Sequence, residues 1–356
     1  MPDSGSETKK RKAEHVELSL KTDVGYGKST GFEDVEFIHH ALPELDFDKL
    51  DTRSKLFNKP ISAPFIISSM TGGYQGAEKI NRALAKAAQE MGVGMGLGSQ
   101  RAMIESNELA SSYNVRKEAP DIPLFGNIGI YQLKKYSPEK IEDAVSKIEA
   151  DALAVHLNPL QEIVQPEGDR NFSSCLKALE KLCSKLSVPV IAKEVGAGIS
   201  GKVAKMLEDA GVKYIDVSGA GGTSWSAVEI RRGSRHREYW NWGIPTAVAV
   251  ADSAKHSSLP LIVSGGVRNG LDVAKGIALG ASYGAAAHPF LKAVSEKGVK
   301  GAVSELKYWR DSLKIAMFLT GSSNLKQLSN SRLLILGKTA ESFELLGLKP
   351  AGYASR

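Results

Sequence analysis

The residues with the most chemical capacity in this chain lie together in His156-Leu157-Asn158-Pro159-Leu160-Gln161-Glu162. An imidazole titrates near neutral pH and can move a proton. Carboxamides orient a substrate by paired donors and acceptors. A carboxylate beside a diphosphate is a natural Mg²⁺ anchor, because magnesium takes one or two carboxylates together with phosphate oxygens. Each has a plainer reading too: His156 as a core histidine satisfied by its neighbours, Glu162 as a surface charge. A second cluster, Ser264-Gly265-Gly266-Val267-Arg268, follows the apolar run Leu261–Val263. Glycines directly after a strand let bare backbone N–H groups approach an anion, and the helix that starts near Asn269 adds its dipole. Lys193 ends another apolar run. It could snorkel to solvent, or it could place a positive charge beside a cofactor ring that becomes an anion. The planar fork of Arg101 suits phosphate. Arg11-Lys12, by spacing alone, is a solvated terminal charge run.

Such groups need elements to aim them. Eight apolar strand-like runs follow Pro60: Pro64–Ile67, Val93–Leu97, Pro123–Phe125, Ala152–Val155, Pro189–Ala192, Tyr214–Val217, Leu261–Val263 and Tyr283–Ala286. Helical stretches separate them. Ile80, Leu84, Ala87, Ala88 and Met91 share one face; Ser137-Pro138 caps a second helix; a third runs from Ser200 to Gly211 with Val203, Met206, Leu207 and Ala210 inside. Strand starts recur roughly every thirty residues, which is the repeat of a (β/α)8 TIM barrel, and a doubly wound open sheet is the alternative. In such a barrel the active groups sit at the C-terminal ends of the strands. The first six runs end in Ser68-Ser69-Met70-Thr71, Gly98-Ser99-Gln100-Arg101, Gly126-Asn127, the His156 cluster, Lys193-Glu194 and Ser218-Gly219-Ala220-Gly221-Gly222-Thr223. A purely structural barrel gives no reason for this.

The predicted organisation is a disordered tail over 1–10, an N-terminal extension over 11–60 that closes on the barrel mouth, the barrel with C-terminal helices over 61–335, and a tail over 336–356. The insertion from Thr223 to Gly243, rich in Trp and Arg, reads as a lid or partner contact. Tyr308 to about Ile335 reads as helical, and the eighth strand is expected to stop at Pro289.

Composition sets limits. The 356 residues are 42% hydrophobic and 24% charged, an ordinary globular balance. The net charge is +6, but no aromatic-interleaved basic patch suggests nucleic acid, and an anionic small substrate explains the balance as well. Cys175 and Cys183 suit neither a zinc site nor a redox pair, which points to a reducing, cytoplasmic setting. No apolar run is long enough for membrane insertion.

Taken together, Arg11-Lys12-x-Glu14-His15, Ser69-Met70-Thr71-Gly72-Gly73, Gly98-Ser99-Gln100-Arg101, the HLNPLQE segment, Gly221-Gly222-Thr223-Ser224-Trp225 and Ser264-Gly265-Gly266-Val267-Arg268 resemble the type 2 isopentenyl-diphosphate isomerases, in family order over roughly residues 11 to 330. The two-glycine loop is shared with other FMN-binding barrels; HLNPLQE and RKxEH are the specific features. The resemblance implies an FMN- and Mg²⁺-dependent interconversion of isopentenyl and dimethylallyl diphosphate, NAD(P)H as the reductant that activates the flavin, and a homo-oligomer, tetramer or octamer. It implies that Ser68, Ser69, Met70, Thr71, Ser99, Asn127, Lys193, Ser218 and Thr223 contact flavin or its ribityl chain. Gly265, Gly266, Arg268, Ala287 and His288 would hold the phosphate end. Arg11, Lys12, Ser99, Arg101, His156, Asn158 and Gln161 would meet substrate, with Gln161, His156 and Asn158 catalytic and Glu162 on the metal. A 2-hydroxy-acid oxidase on the same barrel would need a histidine base and arginines for a carboxylate, and HLNPLQE does not resemble that arrangement.

Overall fold

The computed structural model describes residues 14–74 and 76–356, with the side chains of residues 107–109 left aside. The expected tail over 1–10 and the Arg11-Lys12 pair lie outside the described residues. Eight parallel strands close into a barrel: Phe65–Ile67, Gly94–Gly96, Leu124–Gly129, Ala152–Leu157, Val190–Glu194, Tyr214–Asp216, Leu261–Val263 and Tyr283–Ala286. These are the eight runs expected from the sequence, in order.

Alternation along the strands divides the core in two. Ile66, Ala152, Ala154, Ile191 and Ile262 form an inner cluster, while Ile67, Leu153, Val155, Ala192, Leu261 and Val263 pack outward against the helices. The interior is built from small residues so that a few large ones fit. At Gly96 a Cβ would lie 2.2 Å from the Phe125 ring. Helices Ala77–Met91, Pro138–Lys147, Gly201–Asp209 and Gly270–Leu279 cover the outside. Ser137, Ser200 and Asn269 each accept a backbone N–H at the start of the last three, as N-cap residues do. Met206, expected inside, is 41% exposed; Ala204 and Leu207 carry that contact instead.

The N-terminal extension is not all at the mouth. Residues 14–21 form a helix there. Val35–Phe37 pairs antiparallel with Leu333–Ile335 outside the barrel, so the end of the segment expected to be helical is a strand. The hairpin Ser54–Leu56 and Lys59–Ile61 turns at Phe57 and Asn58, both with positive φ (50° and 64°), the geometry of a tight primed turn. Its Phe57 ring packs edge-on against Phe125 and Tyr214, centroids 6.1 and 5.0 Å away, and the Tyr283 hydroxyl donates to the Lys55 carbonyl. This hairpin plugs the floor of the barrel, at the N-terminal ends of the strands.

Pro289 does not merely stop a strand. It sits in the first turn of the long helix His288–Leu319, where its missing N–H is tolerated, and that helix bends at Lys297-Gly298 and packs along Ala77–Met91. Residues 336–356, expected as a tail, form helices Gly337–Leu345 and Pro350–Ala354, with Phe343 fully buried. Among the described residues no helix is long and apolar enough to cross a membrane.

Candidate active site

The C-terminal ends of the strands surround one pocket. Ser68, Ser69, Met70 and Thr71 enter it after the first strand, Ser99 and Asn127 after the second and within the third. His156 and Lys193 come from the fourth and fifth, Ser218 and Thr223 from the loop after the sixth. Gly265, Gly266 and Arg268 follow the seventh strand, and Ala287 and His288 the eighth. Every residue expected on the cofactor side therefore lines this one pocket.

Backbone replaces side chains at the end formed by the last three loops. Gly265 and Gly266 have φ of 91° and 75°, conformations that a Cβ makes unfavourable. A Cβ on Gly265 would stand 2.0 Å from the Gly219 carbonyl oxygen, and one on Gly222 would stand 2.4 Å from the Gly266 nitrogen. The loops after the sixth and seventh strands thus meet main chain to main chain, leaving a bare wall of the kind that receives a phosphate. Arg268 supplies a positive charge beside it. His288 donates from Nε2 to the Ser19 carbonyl at 3.2 Å, and burial, then Arg268, push its pKa down.

The rest of the pocket wall carries unmet hydrogen-bonding capacity. Ser69 Oγ and Thr71 Oγ1 are buried without a hydrogen-bond partner, and such groups in a native protein call for an explanation, which a bound polar molecule supplies. His156 Nδ1 lies 2.7 Å from Asn127 Oδ1. A carbonyl oxygen only accepts, so Nδ1 donates this bond and fixes the ring's orientation. Lys193 Nζ pairs with Asp216 Oδ2 at 3.0 Å.

The HLNPLQE segment is not a single strand end. The strand stops at Leu157, and Asn158 precedes the short helix Pro159–Val164. Gln161 and Glu162 are therefore consecutive helical residues, pointing about 100° apart by the 3.6-residue turn. Gln161 lines the pocket and Glu162 does not. Glu162 Oε1 accepts from Asn158 Nδ2 at 3.0 Å and its Oε2 from the Asp169 backbone at 2.8 Å. Gln161 Nε2 donates to Glu229 Oε1 at 3.2 Å. Asn158 is buried outside the pocket lining. Arg101 also stands outside it, in helix Arg101–Glu105, with Nε donating to Glu105 at 3.0 Å.

Above the mouth, the helix of residues 14–21 contributes His15, Val16 and Ser19 to the pocket. His15 Nε2 lies 3.0 Å from Glu229 Oε1, and its ring meets Trp225 edge-on at 5.1 Å. Arg232 reaches Glu14, Glu167 and Glu229. The insertion after the sixth strand is thus a clamp on the N-terminal segment: Trp240 Nε1 donates to the Gly25 carbonyl at 2.9 Å, and Ser224 N to the Val24 carbonyl at 2.8 Å. Burial works to raise the Glu229 pKa, but the hydrogen bond and charge of His15 and the Arg232 guanidinium outweigh it and hold the carboxyl below its usual value.

Comparison with known proteins decides the family. Isopentenyl-diphosphate delta-isomerase of Methanosarcina mazei is 47% identical over 351 residues, covering 96% of this chain and 95% of the relative. That of Archaeoglobus fulgidus is 47% identical over 347 residues, 96% of this chain and 99% of the relative. The chain belongs to this isomerase family. Residues 134–335 also match the family described as FMN-dependent dehydrogenase, which marks the flavin-dependent, type 2 branch of isopentenyl-diphosphate isomerases. Solved structures show the same fold at low identity. A mandelate oxidase variant with an FMN monooxide adduct superposes with a TM-score of 0.64 at 18% identity, over 90% of this chain and 98% of that one. A lactate oxidase from Pediococcus acidilactici gives 0.66 at 18%, over 91% and 87%.

Sequence reasoning passed over Asp216 and Glu229, which stand outside the pocket lining, and gave His15 and Trp225, which line it, no role of their own. Asp216 had a signal: an acidic residue inside the apolar run Tyr214–Val217 is expensive to bury unless it is paired. Glu229 had none, since one acid on a short helix reads as surface.

Proposed function

We propose that this protein interconverts isopentenyl diphosphate and dimethylallyl diphosphate, using reduced FMN and Mg²⁺, with NAD(P)H as the reductant. The observation that carries the reading is Gln161, whose amide stands in the same pocket as Lys193, the unpartnered Ser69 and Thr71 hydroxyls and the glycine wall, while Glu162 on the next residue faces elsewhere. Those hydroxyls and that wall fit FMN. Ser68, Met70, Ser99, Asn127, Ser218 and Thr223 would complete its surroundings, with Arg268, Ala287 and His288 at the phosphate end.

Moving the double bond requires a proton added at one carbon and another removed at a neighbour. Reduced FMN, when bound, would supply the group that gives and takes the proton. The chain's part is placement. Gln161, fixed by Glu229, holds the alkene at the flavin side. His156, oriented by Asn127, would meet substrate with its ring. Glu162, fixed by Asn158 and the Asp169 backbone, would anchor the metal against the diphosphate, since magnesium takes one or two carboxylates together with phosphate oxygens. Arg11 and Lys12 would close on the diphosphate with the helix that follows them, and Arg101 would join by releasing Glu105. The setting is cytoplasmic and the assembly a homo-oligomer.

Titrating Mg²⁺ at saturating substrate tests the division between neighbours. Glu162→Gln should bind FMN normally and need much more Mg²⁺ to reach its maximum rate. Gln161→Asn should keep the wild-type Mg²⁺ dependence and lose roughly a hundredfold in rate, as a misplacement of about an ångström can do. A shifted Mg²⁺ requirement in Gln161→Asn alone would refute the assignment.

A further inference from the structure

Lys193 does not face the pocket alone. In the barrel register it stands opposite Asp216 on the neighbouring strand, and the two side chains, 9% and 5% exposed, form an ion pair of 3.0 Å. The second Asp216 oxygen accepts from the Ser264 hydroxyl, which belongs to the loop leading into the glycine wall. Asp216 itself is absent from the pocket lining, whereas Lys193 and Ser264 are in it. Three adjacent strand ends are therefore tied by one buried carboxylate directly behind the cation that meets the cofactor space.

Burying both charges needs a reason, because an apolar pair of the same size commonly serves stability as well. We propose that Asp216 is a positioning residue that aims the Lys193 ammonium at bound flavin and offsets most of its charge there, so that the pair, and not the lysine alone, sets how readily the flavin is held reduced. An unopposed ammonium favours the extra negative charge of the reduced ring, and a carboxylate 3.0 Å behind it subtracts from that field in a site of low dielectric. Ser264 keeps the carboxylate from turning away. This rests on the reading of Lys193 as a flavin neighbour.

The test is the midpoint potential of the bound flavin, measured by reductive titration of FMN-loaded protein against a reference dye, with flavin content determined first. Asp216→Asn should shift the potential upward. Lys193→Met should shift it downward. The double variant, which removes both charges, should lie between the two and near wild type, a compensation that a merely structural residue would not produce. An Asp216→Asn potential equal to wild type would overturn the proposal. If Asp216→Asn alone does not fold, with its ammonium buried unpaired, the comparison of Lys193→Met with the double variant still decides: a higher potential in the double variant supports the pair, and equality overturns it. Wild-type protein that takes up no flavin at all would instead overturn the cofactor reading beneath it.

Discussion

Gly265 shows how much a single residue can decide. Its φ of 91° costs an ordinary side chain about 1–2 kcal/mol, and a Cβ would meet the Gly219 carbonyl besides. Gly265→Asp, which adds a negative charge at the glycine wall proposed to hold phosphate, should purify with little or no flavin; full flavin content in that variant would move the phosphate site away from this loop. Glu194 gives a pH prediction. Burial raises its carboxyl to about 7, against the Val195, Gly196 and Ala197 N–H groups that donate to it and favour the charge. The folded protein then keeps a proton that the unfolded chain has lost above its ordinary value of 4.5. Stability from this group is full below about pH 4.5 and drains as pH rises through 7, by roughly 3 kcal/mol in all. Glu194→Gln should lack that decline. Parallel stability curves for the two proteins from pH 5 to 8 would contradict it. Residues whose chemistry reaches the pocket were legible in the sequence because a barrel gathers polar groups at strand ends. Glu229 was not, because its partners Gln161 and His15 lie on other elements, and no sequence spacing records such a contact; Asp216 stood out only as an acid within an apolar run.

At the scale of elements, the short helix Pro159–Val164 turns two adjacent residues in different directions, and the turn after it fixes one of them. A Cβ on Gly168 would lie 1.9 Å from the Glu162 carbonyl oxygen, so only glycine lets the Asp169 N–H reach the Glu162 carboxylate. Gly168→Ala should therefore raise the Mg²⁺ concentration needed for half-maximal rate several-fold and leave flavin content unchanged; an unaltered Mg²⁺ requirement would show that this turn does not place Glu162. Long amphipathic helices such as Ala77–Met91 were readable from periodicity. Short pieces were not. Leu333–Ile335 becomes a strand only because Val35–Phe37, far away in sequence, offers it an edge, and the helices after residue 336 are fixed by packing of Phe343 rather than by any strong local pattern.

The whole molecule separates stability from chemistry by its two ends. The floor is closed by the hairpin carrying Phe57, whose part in the barrel interior was invisible beforehand because a large apolar residue at a turn reads as exposed. Phe57→Ala should lower unfolding stability by about 3–5 kcal/mol, measured by denaturant titration, without weakening flavin affinity; a parallel loss of flavin would mean the two ends are coupled. The mouth is where barrel, N-terminal helix and insertion converge, and the isomerisation proposed there needs reduced flavin without consuming it. The direct measurement gives FMN-loaded protein isopentenyl diphosphate, Mg²⁺ and a limiting amount of NAD(P)H without oxygen, and compares dimethylallyl diphosphate formed with reductant oxidised. Many molecules of product for each NAD(P)H is the expected result; one product per NAD(P)H, or oxidation of NAD(P)H with no isomer formed, would contradict it.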